Sequence, residues 1–367
     1  MHITPLNGWH HTHQGRMVDF AGWEMPVQYS SIVEEHNAVR SMAGLFDISH
    51  MGRLQFYGDS SQAFLNGILT NDTENLKAGD VRYSLICGKD GGILDDVLVY
   101  RLPDRWELVV NASNREKIVN WLKHAAGFAS IKFSDSTLTT GMIAVQGPNA
   151  LPLMKHAAGL DLAAMKYFTA SEMQYLGTSG VVSRTGYTGE DGFELVMPAA
   201  DAQQVWSALL EDRERFGVMP AGLGCRDTLR LEAAMPLYGH ELSETIDPLT
   251  AGLDFAVKFD KPEYPGKAAL EVIKSRGIEM ARVGLVLEGR RIAREESPVH
   301  IDGQAVGKVT SGTFSPTLQK VIAMAYVPKS AASAGSIVQV NLRGTLVNAE
   351  ITALPFYKRA RQCFVKI

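Results

Sequence analysis

The stretch GGILDDVLVY, residues 91–100, carries two adjacent carboxylates, Asp95 and Asp96, inside a run that otherwise has the composition of a buried β-strand. Successive side chains of a strand point to opposite faces, so the two carboxylates lie on different faces. Because both faces are otherwise apolar, at least one carboxylate is desolvated, and a desolvated carboxylate in a cleft is a candidate functional group. The structural alternative is that one faces solvent or caps a turn while the other accepts from backbone N–H groups. The residues alone leave both interpretations open.

A second set of candidate binding residues lies in the stretch GYTGEDGFE, residues 186–194, and in a later segment around Arg226. Its three glycines are typical of a hairpin turn, and Glu194 lies just inside the strand that follows, between apolar neighbours. Arg226 follows the segment AGLGC and precedes a helical run. A guanidinium and a carboxylate near an aromatic ring such as Tyr187 suit a planar heteroaromatic ligand with donor and acceptor edges. A plain hairpin turn remains the structural alternative.

Histidines and a cysteine offer two further chemistries. His10, His11 and His13, together with His50, are potential metal ligands, but they lack a carboxylate or cysteine partner at a defined spacing. We therefore expect polar surface residues and no metal. Cys225 is a potential nucleophile, but its Leu and Gly neighbours favour inert packing. Nucleotide, zinc-protease and serine-hydrolase signatures are absent from the sequence.

The elements that must position these groups are helices and hairpin-linked strands. VRYSLICG, ILDDVLVYRL and WELVVN, separated by short turns, predict an antiparallel meander over residues 81–111. Around it we predict helices over 30–42, 60–69, 114–127, 149–157 and 200–215, a strand-like run over 44–58, and two strands joined by a Gly-rich turn over 179–197. Beyond residues 260–275 only short strands follow. The pattern predicts an α+β fold of antiparallel sheets with an all-β C-terminal domain of roughly 90 residues.

Composition limits the classes of partner. The chain has 367 residues, a net charge of −4 and a pI near 6.2, so neither a nucleic-acid footprint nor a membrane-surface patch is predicted. Cys87, Cys225 and Cys363 are widely separated, which argues against a disulfide framework and favours a reducing compartment. The N-terminus has no signal-peptide pattern, and no apolar run approaches the roughly 20 residues that span a bilayer. We expect a cytoplasmic protein, although a processed organellar protein would look the same.

Many segments, in order, resemble the aminomethyltransferases, the T-protein family of the glycine cleavage system. They include MVDFAGWEMPVQYSSIVEEHNAVR, GLFDISHMG, LTND, GGILDDVLVY, VVNASN, VQGP, SRTGYTGEDGFEL, AGLGCRDTLRLE, ETIDPLTAGLDFAVKFDK and VTSGTFSPTLQKVIAMAYV. The resemblance implies a three-lobed α+β fold with a folate channel where the lobes meet. It also implies two intertwined α+β lobes within residues 1–270 and a β-barrel or jelly roll within residues 271–367.

The resemblance further implies an activity. The one-carbon unit on the aminomethyl-lipoyl arm of H-protein passes to tetrahydrofolate, a co-substrate, giving 5,10-methylenetetrahydrofolate, ammonia and dihydrolipoyl H-protein, with no metal. The other implied partners are the glycine decarboxylase and dihydrolipoyl dehydrogenase components, with no nucleic acid and no membrane. The alternatives are a folate-dependent demethylase of a methylamine or sulfonium substrate and a non-catalytic folate-binding regulator.

Site residues follow from the same resemblance. Asp96 matches the family's catalytic aspartate, and Glu194 and Arg226 match its pterin-binding pair. Other positions match the lining of the folate channel: Tyr83, Tyr100, Asn111, Tyr167 and Tyr187. Lys358 and Arg359 match a basic stretch that meets the folate tail or the acidic H-protein, with a solvated basic tail as the alternative.

Overall fold

The computed structural model describes residues 1–360, and the elements below belong to that part of the chain. Its α-helices are α1 (Asn7–Thr12), α2 (Ile32–Ser41), α3 (Ser60–Ile68), α4 (Arg115–Lys123), α5 (Ala150–Ala157), α6 (Ala202–Glu211), α7 (Arg213–Phe216), α8 (Leu223–Glu232) and α9 (Lys267–Arg276). Its strands are β1 (His2–Ile3), β2 (Arg16–Phe20), β3 (Trp23–Gln28), β4 (Ala43–Asp47), β5 (Gly52–Tyr57), β6 (Val81–Cys87), β7 (Ile93–Arg101), β8 (Trp106–Val110), β9 (Lys132–Asp135), β10 (Thr140–Gln146), β11 (Ala170–Tyr175), β12 (Thr178–Ser183), β13 (Gly192–Pro198), β14 (Val218–Pro220), β15 (Met280–Leu287), β16 (Pro298–Ile301), β17 (Gln304–Ser315), β18 (Lys320–Pro328), β19 (Ile337–Leu342) and β20 (Thr345–Thr352). Within residues 1–360, no helix is both long and apolar enough to cross a bilayer.

The sheet that carries the two aspartates has five strands in the order β6-β7-β8-β5-β9. Strands β6, β7 and β8 pair antiparallel in sequence, which confirms the predicted meander. In the turn before β7, Gly91 adopts a φ of +88°, which glycine tolerates best. A Cβ on Gly92 would lie 1.7 Å from the carbonyl oxygen of Glu244, so only glycine allows the two segments to approach this closely.

Side chains alternate along β7 and separate two faces. Val97 and Val99 pack with Ile118 of α4 in one apolar core. Tyr100 packs with Phe46 of β4 in another core, which the neighbouring sheet shares. Since the period is two, the first aspartate of the pair faces the helices and the second faces the neighbouring sheet.

That neighbouring sheet has six strands in the order β11-β12-β13-β10-β4-β14. Strands β12 and β13 pair antiparallel, which confirms the two strands predicted on either side of the Gly-rich turn. Glu194 on β13 lies opposite Ala144 of β10 and Ser183 of β12. Helices α5 and α6 cover the other face of this sheet through a core that includes Leu153 and Trp206. Antiparallel pairing dominates, as predicted, with parallel exceptions at β4–β14 and β1–β3.

The strand-like run predicted over residues 44–58 is wrong as a single element. It divides into β4 and β5, which belong to the two different sheets, with a turn over residues 48–51 between them. Buried side chains bind this turn and break the alternation: Asp47 accepts from the Ser49 N–H at 2.9 Å, and Arg53 donates to the carbonyl oxygens of Ser49 and Met51. The turn connects the two sheets.

Strands β15 to β20 close into a barrel in the order β15-β18-β17-β16-β19-β20. This confirms the predicted α+β fold with an all-β C-terminal domain, and its core is made of aliphatic side chains such as Leu285 and Val340. Helix α9 (Lys267–Arg276) precedes the first barrel strand, β15. The segment that follows the barrel returns to the N-terminal lobes.

A buried charge cluster fixes that returning segment. Arg40 of α2 donates to Glu190 at 2.9 Å and to Glu232 of α8 at 2.8 Å. The Arg40 guanidinium also lies 4.0 Å from the ring centroid of Tyr357, whose hydroxyl donates to Glu190 at 2.7 Å. The cluster therefore joins α2, the loop before β13, α8 and the segment after the barrel.

Candidate active site

A cavity of about 1110 Å³ lies where the two sheets, α8 and the barrel meet. We call it the central cavity. Asp96 of β7, Glu194 of β13 and Arg226 of α8 line it, together with Ser311 of β17. Four of the five predicted channel residues also line it: Tyr83, Asn111, Tyr167 and Tyr187. The fold thus brings together residues that the sequence spreads over more than half of the chain.

Asp96 presents a carboxylate that two donors hold in place. The Tyr83 hydroxyl donates to Oδ2 at 3.1 Å, and the Asn111 amide Nδ2 donates to Oδ1 at 2.7 Å. Tyr83 comes from the neighbouring strand β6, and Asn111 directly follows β8. The ring of Tyr83 stacks with Phe255, at 5.8 Å between centroids. The carboxylate is therefore oriented by strands on both sides of its own.

Asp95 has a different environment on the opposite face. It is fully buried and accepts from three N–H groups: the Asn111 backbone at 3.1 Å, the Asn111 side chain at 2.8 Å and the Asn114 side chain at 2.6 Å. These donors lie in the 3₁₀ turn Ala112–Asn114 and its cap, directly before α4. Asp95 therefore fixes the Asn111 amide that in turn orients Asp96.

The pKa values of the two adjacent carboxyl groups are both raised. Burial and the neighbouring charge of Asp96 raise the pKa of Asp95 to about 8. Burial also raises the pKa of Asp96, against the hydrogen bonds from Asn111 and Tyr83, which favour its charged form. Asp95 therefore holds its proton to a higher pH than an exposed aspartate does, and the hydrogen-bond donors around Asp96 favour its ionised form.

The other end of the site combines one carboxylate with one cation. Burial raises the pKa of Glu194, while the Thr185 hydroxyl donates to it and the charge of Arg226 favours its ionised form. Arg226 lies in the first turn of α8, not before the helix as predicted, and its guanidinium lies 4.8 Å from the ring centroid of Tyr187. The Tyr187 hydroxyl donates to the Pro236 carbonyl, which fixes the ring.

Arg226 differs from two other arginines that line the central cavity. Arg230 is paired with Asp227 and Glu241, and Arg282 donates to backbone carbonyl oxygens. By contrast, the buried Nη1 of Arg226 has no hydrogen-bond partner among residues 1–360. A buried guanidinium nitrogen left without a partner fits a site that accepts a ligand carrying acceptor atoms.

Three of the predicted site residues are not part of the cavity wall that residues 1–360 form. Tyr100 is buried in the core between the two sheets, behind the wall. Lys358 is exposed, and Arg359 lies 3.3 Å from Asp191 and 5.9 Å from the ring centroid of Tyr167. Tyr167 itself is 48% exposed and lines the cavity, so Arg359 lies beside its opening.

Sequence reasoning missed part of the wall. Phe255 lines the cavity with 59% of its surface exposed, and Phe20 and His50 contribute from the N-terminal part of the chain. A single aromatic residue in an apolar run gives no local signal of this role. Only the contact of Phe255 with Tyr83 marks it as part of the site.

The histidines and cysteines have other roles. His10 pairs with Asp47 at 2.9 Å, His11 lies 3.4 Å from Glu24, and His13 stacks on Trp9, so the three do not converge. Among residues 1–360 no group of metal-ligating side chains forms a cation site. Cys87 and Cys225 are buried free thiols, and Cys363 lies outside the described residues.

The central cavity offers an oriented carboxyl group at Asp96, a second carboxyl group at Glu194, a guanidinium at Arg226, and aromatic rings at Tyr83, Tyr187 and Phe255. A planar heteroaromatic ligand with a donor edge and an acceptor edge fits this set. The Asp96 carboxylate can stabilise positive charge that develops on a bound reactant.

Known proteins resemble this chain in sequence and in fold. The family described as GCVT N-terminal domain matches residues 6–261, and the glycine cleavage T-protein C-terminal barrel domain matches residues 281–358. Aminomethyltransferase from Moorella thermoacetica is 45% identical over 360 residues, covering 98% of each chain. The one from Geobacillus kaustophilus is 46% identical over 362 residues, covering 98% of this chain and 99% of the relative. The crystal structure of the glycine cleavage system aminomethyltransferase T from Bartonella henselae superposes with a TM-score of 0.91 at 34% identity, covering 97% of this chain and 98% of that one.

Proposed function

Because the chain belongs to the glycine cleavage T-protein family, whose members are aminomethyltransferases, we propose that its central cavity is the site of tetrahydrofolate-dependent aminomethyl transfer. The chain is an aminomethyltransferase. The one-carbon unit arrives on the aminomethyl-lipoyl arm of H-protein, and tetrahydrofolate accepts it as 5,10-methylenetetrahydrofolate with release of ammonia. One observation carries the proposal: Asp96, Glu194 and Arg226 line a single cavity.

Glu194 and Arg226 form the heterocycle end of this site. A carboxylate accepts from adjacent N–H groups of a pterin ring, and the partnerless Nη1 of Arg226 donates to acceptor atoms of the same ring. Tyr187, which lies against the guanidinium, adds an aromatic surface. Among residues 1–360, the groups on this wall suit the donor and acceptor edges of tetrahydrofolate.

Asp96 is the group that acts on the reacting carbon. Aminomethyl transfer develops positive charge on the one-carbon centre, and a fixed carboxylate lowers the free energy of that charge. Tyr83 and Asn111 hold the Asp96 oxygens at 3.1 and 2.7 Å, which limits reorganisation when the charge appears. Electrostatic stabilisation fits this geometry better than proton abstraction, because both oxygens already accept hydrogen bonds.

The partner arrangement follows from the same proposal. Lipoylated H-protein delivers its arm through the cavity opening, where Tyr167 and Phe255 are exposed. Arg359, beside that opening, and the exposed Lys358 contact the folate tail or the acidic H-protein. The glycine decarboxylase and dihydrolipoyl dehydrogenase load and reoxidise the same arm. We place the protein in the cytoplasm, or in the mitochondrial matrix for a processed eukaryotic protein.

The test is an assay with aminomethylated H-protein and tetrahydrofolate that follows ammonia release and methylenetetrahydrofolate formation together. We expect both products in equal amounts and only when both substrates are present. Ammonia release that does not depend on tetrahydrofolate would contradict the proposal. Binding of tetrahydrofolate without any turnover would identify a folate-binding regulator instead.

A further inference from the structure

His50 lies in the turn over residues 48–51 that connects the two sheets, and it lines the central cavity. Its ring is 2% exposed and packs edge-to-face against Phe20, with 5.6 Å between centroids. Its Nδ1 is enclosed and has no hydrogen-bond partner among residues 1–360. Buried polar atoms without partners are uncommon and point to a role beyond packing.

The turn that carries His50 is held rigidly from both sides. The fully buried Arg53 donates to the carbonyl oxygens of Met51 at 2.6 Å, Ser49 at 3.0 Å and Thr137 at 2.6 Å. A guanidinium that donates to the backbone carbonyls of Ser49 and Met51 fixes the path of the chain on either side of His50.

Asp47 anchors the other side of the turn. It accepts from the Ser49 N–H at 2.9 Å and pairs with His10 at 2.9 Å, and the His10 ring meets the Tyr29 hydroxyl at 2.8 Å. Two buried charged residues therefore keep a short turn in one conformation. A turn held in this way gives the imidazole one fixed position in the cavity wall.

The imidazole is neutral in that position. Burial lowers the pKa of His50 to about 3; the charge of Asp47 opposes this shift, and the positive charges of Arg226 and Arg53 add to it. A neutral imidazole has one N–H donor and one lone pair. Leaving an acceptor unpaired costs less than leaving an N–H unpaired, so the proton belongs on Nε2 and the enclosed Nδ1 keeps the lone pair. The Nε2–H then faces the cavity.

His50, Arg226 and Glu194 all line the central cavity. Strand β4, which leads into the turn that carries His50, pairs with β10, and β10 pairs with β13, which carries Glu194. The cavity wall therefore carries two donors, His50 and Arg226, and one acceptor, Glu194. Glu194 takes the N–H edge of a pterin, and the ring carbonyl oxygen of the same heterocycle needs a donor.

We propose that His50 is a specificity-determining residue that donates a hydrogen bond from Nε2 to the ring carbonyl oxygen of bound tetrahydrofolate. This inference rests on the proposed folate site. A neutral donor prefers a carbonyl oxygen over an amino group at the same ring position, because the amino group offers a donor to a donor. His50 thereby selects the oxo form of the ring.

The test measures two ligands by calorimetry: tetrahydrofolate and its 4-amino analogue, in which the carbonyl oxygen is replaced by an amino group. His50→Leu fills similar space without a donor, and His50→Gln keeps an N–H donor at the position of Nε2. His300→Leu is the matched control, because both ring nitrogens of His300 lack partners among residues 1–360 and the residue lies on β16 of the barrel. Thermal melting of each variant checks the fold.

We expect His50→Leu to weaken tetrahydrofolate binding roughly 5- to 30-fold, the effect of one lost hydrogen bond in a buried site. Affinity for the 4-amino analogue stays within about twofold, His50→Gln recovers most of the tetrahydrofolate affinity, and His300→Leu changes neither. Equal losses for the two ligands would show a structural role and overturn the proposal, as would unchanged binding in a folded His50→Leu protein. If the wild type does not bind tetrahydrofolate, the proposed function itself fails. If wild-type binding is lost in Glu194→Ala but not in His50→Leu, only this inference fails.

Discussion

Replacing Asp96 with asparagine tests the proposed catalytic role most directly. The change removes the charge and keeps the shape. The Asn111 Nδ2, now 2.7 Å from Oδ1, can still donate to the amide oxygen, and the Tyr83 hydroxyl can turn to accept from the new amide N–H. Both contacts survive, so we expect the fold and the tetrahydrofolate affinity to change little.

The expected loss of turnover follows from the lost charge. A unit positive charge about 4 Å from the carboxylate gains about 4 kcal/mol at an effective dielectric constant of about 20. Because about 1.4 kcal/mol corresponds to a tenfold change in rate, turnover should fall by about 10³-fold. Single-turnover formation of methylenetetrahydrofolate from aminomethylated H-protein measures this step, and calorimetry with tetrahydrofolate measures binding separately.

Glu107→Gln provides the matched control. Glu107 is a buried carboxylate on β8 of the same sheet, where it accepts from Gln55 at 3.1 Å, but it is not part of the cavity wall. Its amide variant should keep wild-type turnover. If Asp96→Asn turns over within about threefold of the wild type, transition-state charge is not stabilised by this carboxylate and the assignment is wrong. Loss of tetrahydrofolate binding in the same variant would make Asp96 a binding residue.

Three further outcomes are expected. Glu194→Ala should weaken tetrahydrofolate binding by roughly 1–3 kcal/mol in calorimetry, and an affinity equal to wild type would remove Glu194 from the site. Asp95→Asn should lose stability while keeping its turnover per folded molecule. The pKa of Asp95 is raised to about 8 in the fold from about 3.9 in the unfolded chain, so the proton that Asp95 holds in the fold stabilises the wild type at low pH. This stabilisation is lost as the pH rises from about 3.9 to about 8. Urea titrations should therefore find a larger deficit at about pH 5 than at about pH 8.5, and a deficit that grows with pH would contradict the assigned protonation. Arg359→Ala should raise the KM for tetrahydrofolate or for H-protein about two- to fivefold with kcat unchanged, and two unchanged KM values would leave Arg359 without a substrate contact.

The sequence predicted the elements whose signals are local. The alternation of β7 and the short turns beside it follow from neighbouring residues, and so does the start of α2, where Ser31 accepts from the Glu34 N–H at 3.2 Å. The opposite orientation of Asp95 and Asp96 needed only the period of a strand. That period did not indicate which of the two to propose as the catalytic residue, and the choice of Asp96 came from the family resemblance.

The parts that the sequence did not predict depend on contacts between distant residues. The turn before β5 exists because Arg53 reaches the carbonyl of Thr137, 84 residues away. The place of Tyr100 behind the wall depends on how closely the two sheets pack. Phe255 joins the site only because a short 3₁₀ turn, Asp254–Ala256, brings it against Tyr83. No periodicity within a segment carries such information.

The charge cluster around Arg40 has a consequence for synthesis. Its members are far apart in sequence: Glu190 and Glu232 follow Arg40 by 150 and 192 residues, and Tyr357 donates to Glu190 across 167 residues. Until residue 357 has left the ribosome, the two carboxylates and the guanidinium lack one side of their enclosure. The sheets can form earlier, but the charge cluster that joins α2, α8 and the segment after the barrel is complete only after residue 357 has been synthesised.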